Sequence, residues 1–191
     1  MELQDAIKSR KSVRKFSSKK PDWRDIIEAI HTSQYAPMAG GLFHLKFIII
    51  DDSKIIEEIA NWSEQAFISE TQYVVVAVSD MGIVKTPFPR MGEYFSPQQS
   101  GAAIQNFLLS LEEFGLSTCW VGHMNEEKIG KVLKIPDAYT IEAIFPIGYS
   151  NEKPKKSNPK SDIYNILYFN QWENNRMKKI EKIDSRAPEG Y

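Results

Sequence analysis

Tyr73-Val74-Val75-Val76-Ala77-Val78 is an unbroken apolar run dominated by β-branched side chains. A strand with one wet face alternates apolar and polar residues, whereas a strand covered on both faces reads as a continuous run. The segment therefore predicts a central strand with helices lying on each side. Further strands are predicted at Leu45–Ile50, Leu116–Val121 and Thr140–Gly148, each rich in apolar residues and bounded by turn or capping signals. Between them, Pro21–Ser33 carries Trp23, Ile26, Ile27 and Ile30 at helical spacing. Asp51-Asp52-Ser53 opens a second helix with Ile55, Ile56, Ile59, Ala60 and Trp62 on its buried stripe, and Asn125 caps a short helix to Leu133.

Ser96-Pro97-Gln98-Gln99 reads as a capping box with proline at the first helical position, opening a helix that runs to Gly115. Its small residues Gly101, Ala102 and Ala103 allow close approach of another helix, within a subunit or across a dimer. Met81–Phe95 has glycine, proline and aromatic residues without a period, which predicts an excursion able to act as a lid. Alternation of strands and helices along the chain would suit a parallel sheet. With 191 residues and 42% hydrophobic content, one core domain over residues 1–150 is expected, followed by an arm over 151–191. In that arm Lys153, Lys155, Lys156 and Lys160 lie among prolines, and Tyr164, Leu167, Tyr168, Phe169 and Trp172 follow.

Several function classes lose support. A formal net charge of −1 and a pI near 6.3 argue against a nucleic-acid partner. Apolar runs are too short for a membrane span, and the charged start lacks the apolar core of a signal peptide, so a cytoplasmic protein is expected. The lone cysteine, Cys119, can form no intramolecular disulfide and no paired-cysteine metal site. His31, His44 and His123 lack metal-ligand spacing, so no metal is expected. Nucleophile-elbow, Walker and G-x-G-x-x-G motifs are missing. Glu112-Glu113 and Glu126-Glu127 are helix neighbours that diverge in direction. A chain this short of catalytic side chains suits a bound redox cofactor, for which the protein supplies binding and electrostatics; no catalytic side chain is assigned.

Arg10-Lys11-Ser12-Val13-Arg14-Lys15-Phe16 crowds four cations around one hydroxyl. Such a run is either a solvated charged face or an anion site. Its pattern of Arg10, Lys11, Ser12, Arg14 and Phe16 resembles a segment of the nitroreductase family. Ala36, Pro37 and Ala39 match part of that family's Ala-Pro-Ser loop. Gly101-Ala102-Ala103-Ile104-Gln105-Asn106-Phe107-Leu108, Gly115-Leu116-Ser117-Thr118-Cys119-Trp120-Val121-Gly122, Ile135-Pro136 and Ile147-Gly148-Tyr149 continue the resemblance in the family's order.

The resemblance implies an α+β fold: a three-layer sandwich with a mixed, mainly antiparallel sheet flanked by helices, in an intertwined homodimer that exchanges its C-terminal arm and holds FMN at the interface. It puts Arg10, Lys11, Ser12 and Arg14 on the FMN phosphate or ribityl chain, joined by Lys160, with Lys155 and Lys156 as alternatives. Pro37, Met38 and Ala39 would lie beside the flavin, and the Trp120-Val121-Gly122 backbone beside its ring. The implied activity is hydride transfer from NADH or NADPH to FMN, then reduction of a quinone, nitroaromatic or similar small acceptor in a ping-pong cycle. Phe43, His44, Phe88, Tyr94 and Phe95 are candidates for the acceptor pocket. Specialised flavin chemistry such as dehalogenation or flavin fragmentation, a non-catalytic FMN-binding protein, and an anionic-surface patch are the alternatives. Two departures stand out. The loop from Met38 to Leu45 is more apolar than the family's, which would lower the flavin potential unless the Gly40 and Gly41 amides compensate. Gln99 replaces a customary acidic residue.

Overall fold

The computed structural model describes residues 1–152 and 159–175. The chain divides into two compact units, Met1–Ser157 and Asn158–Tyr191. In the first unit four strands form one sheet: β1 (Leu45–Ile50), β2 (Tyr73–Asp80), β3 (Ser117–Thr118) and β4 (Tyr139–Gly148), in the order β1-β2-β4-β3. Every pairing between these strands is antiparallel, and one parallel bridge joins Ser12 to Thr118. The helices are α1 (Leu3–Ser9), α2 (Trp23–Ser33), α3 (Ser53–Trp62), α4 (Met81–Lys85), α5 (Gly92–Glu113) and α6 (Glu126–Leu133). Among the described residues none is long and apolar enough to cross a membrane.

β2 is covered on both sides, as its sequence predicts. Tyr73, Val75 and Ala77 point into a core built with α2 and α5, through Ile26, Ala29, Ile104, Phe107 and Leu111. Val74, Val76 and Val78 point into the opposite core with Ile56, Ile59 and Ala60 of α3 and Ile129 of α6. The period-2 geometry of a strand thus turns one valine run into the wall of two cores. Each fully buried valine contributes about 1.5–3 kcal/mol relative to exposure. The result is a three-layer α+β sandwich. Asp22, Asp52 and Asn125 cap α2, α3 and α6, accepting from the amides of Arg24, Lys54 and Lys128.

Some expectations change. The strand predicted at Leu116–Val121 is a ladder only at Ser117–Thr118, and resumes at the Val121–Ile144 bridge in the same register. Between them Cys119 faces Pro146, which has no N–H to donate, so the ladder is interrupted there. On α2 the buried stripe is Ile26, Ala29 and Ser33, while Trp23 is 50% and Ile27 43% exposed. Met81–Phe95 is not an aperiodic excursion: it contains α4 and the first turn of α5. α5 itself begins at Gly92 rather than Ser96, with Pro97 inside it.

α5 ends where expected. The Gly115 amide donates to the Glu112 carbonyl and the Leu116 amide to the Leu111 carbonyl, with Gly115 at φ +71°. That is a Schellman motif, for which glycine is suited by its tolerance of positive φ. In the second unit a 3-10 turn spans Ile163–Asn165, and Tyr164 and Trp172 are mostly exposed.

Candidate functional site

The residues expected to bind the cofactor fall into two groups on different elements. In the first, Arg10–Phe16 runs extended along the sheet edge: the Val13 amide donates to the Thr118 carbonyl at 3.0 Å and the Ser17 amide to the Tyr149 carbonyl at 2.9 Å. Val13 and Phe16 are buried, anchoring the segment, while Ser12 and Arg14 are exposed and Arg10 and Lys11 half-buried. Burial of these two apolar side chains holds the segment on the sheet edge and leaves Ser12, Arg14 and Lys15 outside. Arg14 also lies 5.8 Å over the Phe67 ring.

Glu152 enters this cationic segment. Its carboxylate accepts from the Arg14 amide at 3.2 Å and meets Lys11 Nζ at 3.2 Å. The Arg14 amide first, and the Lys11 ammonium second, hold the Glu152 carboxyl below its usual range, with further help from the charge of Lys15. Two ammonium groups, Lys11 and Lys15, and the Arg14 amide thus act on one carboxylate along an edge that carries four cations.

Trp120, Val121 and Gly122 stand next to that segment through the Ser12–Thr118 bridge. Val121 and Ile144 exchange both backbone hydrogen bonds, at 3.0 and 2.9 Å. Consequently the Val121 amide is taken, and the amides of Trp120 and Gly122 point the other way, off the edge of β4. Neither donates to another backbone carbonyl among the described residues. The Trp120 ring packs edge-on against Phe145 at 5.7 Å and remains 40% exposed.

The second group forms a cleft of about 500 Å³. Pro37, Met38, Ala39 and Gly40 make one wall; Phe88, Phe95, Gln98, Gln99 and Ala102 make the other. Gly40 and Gly41 both have positive φ, 62° and 70°, a geometry that glycine adopts without strain. The Phe88 ring lies against Gly40, where a Cβ would come within 3.3 Å. The Gly41 amide closes the turn onto the Met38 carbonyl at 3.0 Å, so of the two amides named as able to compensate for the apolar loop, this one is engaged within the turn. Of the aromatic candidates, Phe88 and Phe95 line the cleft. Phe43 and His44 instead turn inward: Phe43 packs on the core and His44 is 1% exposed.

His44 Nε2 lies 3.0 Å from Ser100 Oγ, and Nδ1 lies 2.9 Å from Gln99 Nε2. Burial, the largest influence, pushes the imidazole below its ordinary value near 6.5, against the opposing charges of Glu142 and Asp80. Gln99 Oε1 in turn accepts from the Ala39 amide at 3.0 Å.

Lys160 is exposed and belongs to the second unit; Lys153, Lys155 and Lys156 lie outside the described residues. Sequence reasoning put Gln99 near the site as a departure from the family but missed Gln98 and Ala102 as lining residues. With the helix begun at Gly92, Phe95, Gln98, Gln99 and Ala102 fall at i, i+3, i+4 and i+7, one helical face. Beginning it at Ser96 hid that face.

Comparison with known proteins supports a single family. An iodotyrosine deiodinase from Thermotoga neapolitana is 26% identical over 184 residues, covering 88% of this chain and 97% of the relative. A protein named as a putative NADH dehydrogenase/NAD(P)H nitroreductase from Methanothermobacter thermautotrophicus is 24% identical over 159 residues, covering 81% and 80%. The solved structure of an FMN-dependent nitroreductase from Clostridium difficile R20291 shares the fold with a TM-score of 0.74, 23% identity and coverage of 88% and 99%. The Nitroreductase family model matches residues 7–80 and 62–149, which takes in the cationic segment, both walls of the cleft and the Trp120 edge. This chain belongs to the Nitroreductase family.

Proposed function

We propose that this protein is an FMN-dependent oxidoreductase that draws on NADH or NADPH and reduces a small acceptor such as a quinone or nitroaromatic. The observation that carries the reading is the extended Arg10–Phe16 segment, which gathers four cations and a hydroxyl along one sheet edge in a chain of this family. The donor set fits a phosphate monoester: guanidinium forks grip two oxygens, and Ser12 adds a hydroxyl. Names among the relatives, one for NAD(P)H and one for FMN, support the same cofactors.

When bound, FMN would supply the two-electron chemistry that accepts reducing equivalents from the nicotinamide and returns them to the acceptor. Arg10, Lys11, Ser12 and Arg14 would hold its phosphate, and the Trp120 and Gly122 amides are donors for its ring edge. The apolar Met38, Phe88 and Phe95 surface would exclude water around the acceptor. Following the resemblance, the two groups of residues belong to one site across a homodimer interface. A groove of about 350 Å³ between α1, the end of α2 and α5, lined partly by Met1, Leu3 and Tyr35, supports such an interface, since Leu3 and Tyr35 are 66% and 75% exposed.

The test is Arg10→Ala. Loss of a charge-assisted contact is expected to weaken FMN binding about 10- to 100-fold, with far-UV circular dichroism unchanged. Unchanged FMN affinity together with weaker polyanion binding would instead make the segment a general anionic-surface patch.

A second reading, reductive dehalogenation of a haloaromatic, is favoured by the deiodinase relative, 97% of which is covered, and by the aromatic Phe88 and Phe95 wall. Halide release from iodotyrosine under anaerobic reducing conditions, faster than nitroaromatic or quinone reduction, would select it.

A further inference from the structure

Gln99 makes two hydrogen bonds that fix each other's direction. Its Oε1 accepts from the Ala39 amide, so its Nε2 is the atom that donates to His44 Nδ1. With Nδ1 accepting, the imidazole proton resides on Nε2, directed at Ser100 Oγ. The His44 carbonyl also accepts from the Asp80 amide at 2.9 Å, which ties the residue to the end of β2. The loop's other bonds, Gly41 to Met38 and Leu42 to Ala39, are internal to its turn. The Gln99 bond connects that turn to α5.

We propose that Gln99 and His44 are positioning residues of the cleft, holding the Pro37–Gly40 wall against α5 through a chain of bonds that is intact only with a neutral imidazole. The proposal deepens the oxidoreductase reading and rests on it for the cleft's role. A proton on Nδ1 would face the Gln99 amide NH₂, donor against donor. Turning the amide over relieves that clash but presents NH₂ to the Ala39 N–H. One proton on a buried ring thereby releases the wall.

The charged groups acting on the ring are Glu142 from β4 and Asp80 at the end of β2. α5 faces it with Ser96, Gln99 and Ser100, all uncharged. A carboxylate at position 99 would behave differently from the glutamine. It can accept from the Ala39 amide and from a protonated Nδ1 at once, keeping the wall in place with a charged ring.

The experiment is amide hydrogen exchange at Ala39 by NMR on the full chain without flavin, from about pH 5 to about pH 8, a range that brackets histidine titration, corrected for intrinsic rates. In the native sequence, Ala39 protection is expected to fall about threefold to tenfold, the worth of one hydrogen bond, as His44 acquires its proton, while Val76 in β2 stays protected. Gln99→Leu is expected to lose the same protection at neutral pH. Gln99→Glu is expected to keep it in acid and to raise the pH at which the His44 ring nitrogens titrate. Wild-type protection at Ala39 that ignores His44 titration, or an acid loss in Gln99→Glu equal to wild type, would overturn the proposal. Should Gln99→Leu fail to fold, the Gln99→Glu comparison decides alone. FMN titration separates the two readings: exchange as expected without FMN binding leaves the clamp standing and sinks the flavin site, and the reverse pattern does the opposite.

Discussion

Glu152 sets how much positive charge the Arg10–Arg14 segment presents to an anion. Bonded to the Arg14 amide and Lys11 Nζ, it is ionised at neutral pH, and because it is solvent-accessible its pairing adds little to folding stability. Its effect falls on the ligand. Glu152→Gln removes one negative charge beside the proposed phosphate seat, so FMN is expected to bind about threefold to tenfold more tightly, with the gain shrinking as salt is added. Quenching of flavin fluorescence measures it, and equal affinities at low salt would mean the phosphate lies elsewhere. The cations were legible in the sequence because they are adjacent. Glu152 was not, since it meets Lys11 across 141 positions of chain and only the fold brings them together. The amides of Trp120 and Gly122 were legible as a strand end, but which amides face outward follows from the Val121–Ile144 pairing alone.

At the scale of elements, the junction of α4 and α5 shapes the cleft. The Met91 and Gly92 amides both donate to the Phe88 carbonyl, at 3.1 and 2.7 Å, turning the chain back on itself. Gly92 then sits so near Lys85 that a Cβ would stand 2.6 Å from Lys85 Cα. Gly92→Ala must therefore push backbone from backbone and is expected to cost about 1–3 kcal/mol, read as a lower midpoint in urea unfolding; an unchanged midpoint would contradict this packing. The capping signal at Ser96-Pro97 misled because it is local. The reversal at Phe88 supplies an earlier start, and Ser96 Oγ, buried with no partner among the described residues, does not cap anything. Pro97 is accommodated near the helix start, where only one intrahelical bond is lost. The interruption at Cys119–Trp120 had a sequence signal in Pro146, but using it required the register between two strands distant in sequence.

For the whole molecule, the double covering of β2 was legible from its valine run, whereas the antiparallel strand direction was legible only through the family resemblance. Alternating strands and helices suited a parallel sheet, and the antiparallel order β1-β2-β4-β3 depends on where each connection crosses, which local patterns do not encode. Global stability should carry the mark of His44. Below its ordinary value near 6.5 the unfolded chain takes a proton that the folded ring resists. The unfolded state then binds more protons, so stability is fully present above about pH 6.5 and falls as pH drops toward the depressed folded value, by at most about 1.4 kcal/mol per pH unit. Glu93, Glu127 and Glu152 have lowered values, so whatever they add is present above their ordinary 4.5 and is lost only below it, outside this range. Urea midpoints at about pH 7.5, 6.5 and 5.5 are expected to be level between the first two and lower at the third; a level series throughout would contradict this account of His44.

The central claim is that a bound flavin carries the chemistry. An anaerobic visible spectrum of the protein saturated with FMN, taken before and after NADPH and then NADH, addresses it directly. The expected result is bleaching of the bound flavin band faster than for free FMN, with the faster nicotinamide identifying the donor. A protein that binds no FMN, or a bound flavin that neither nicotinamide bleaches, would contradict it.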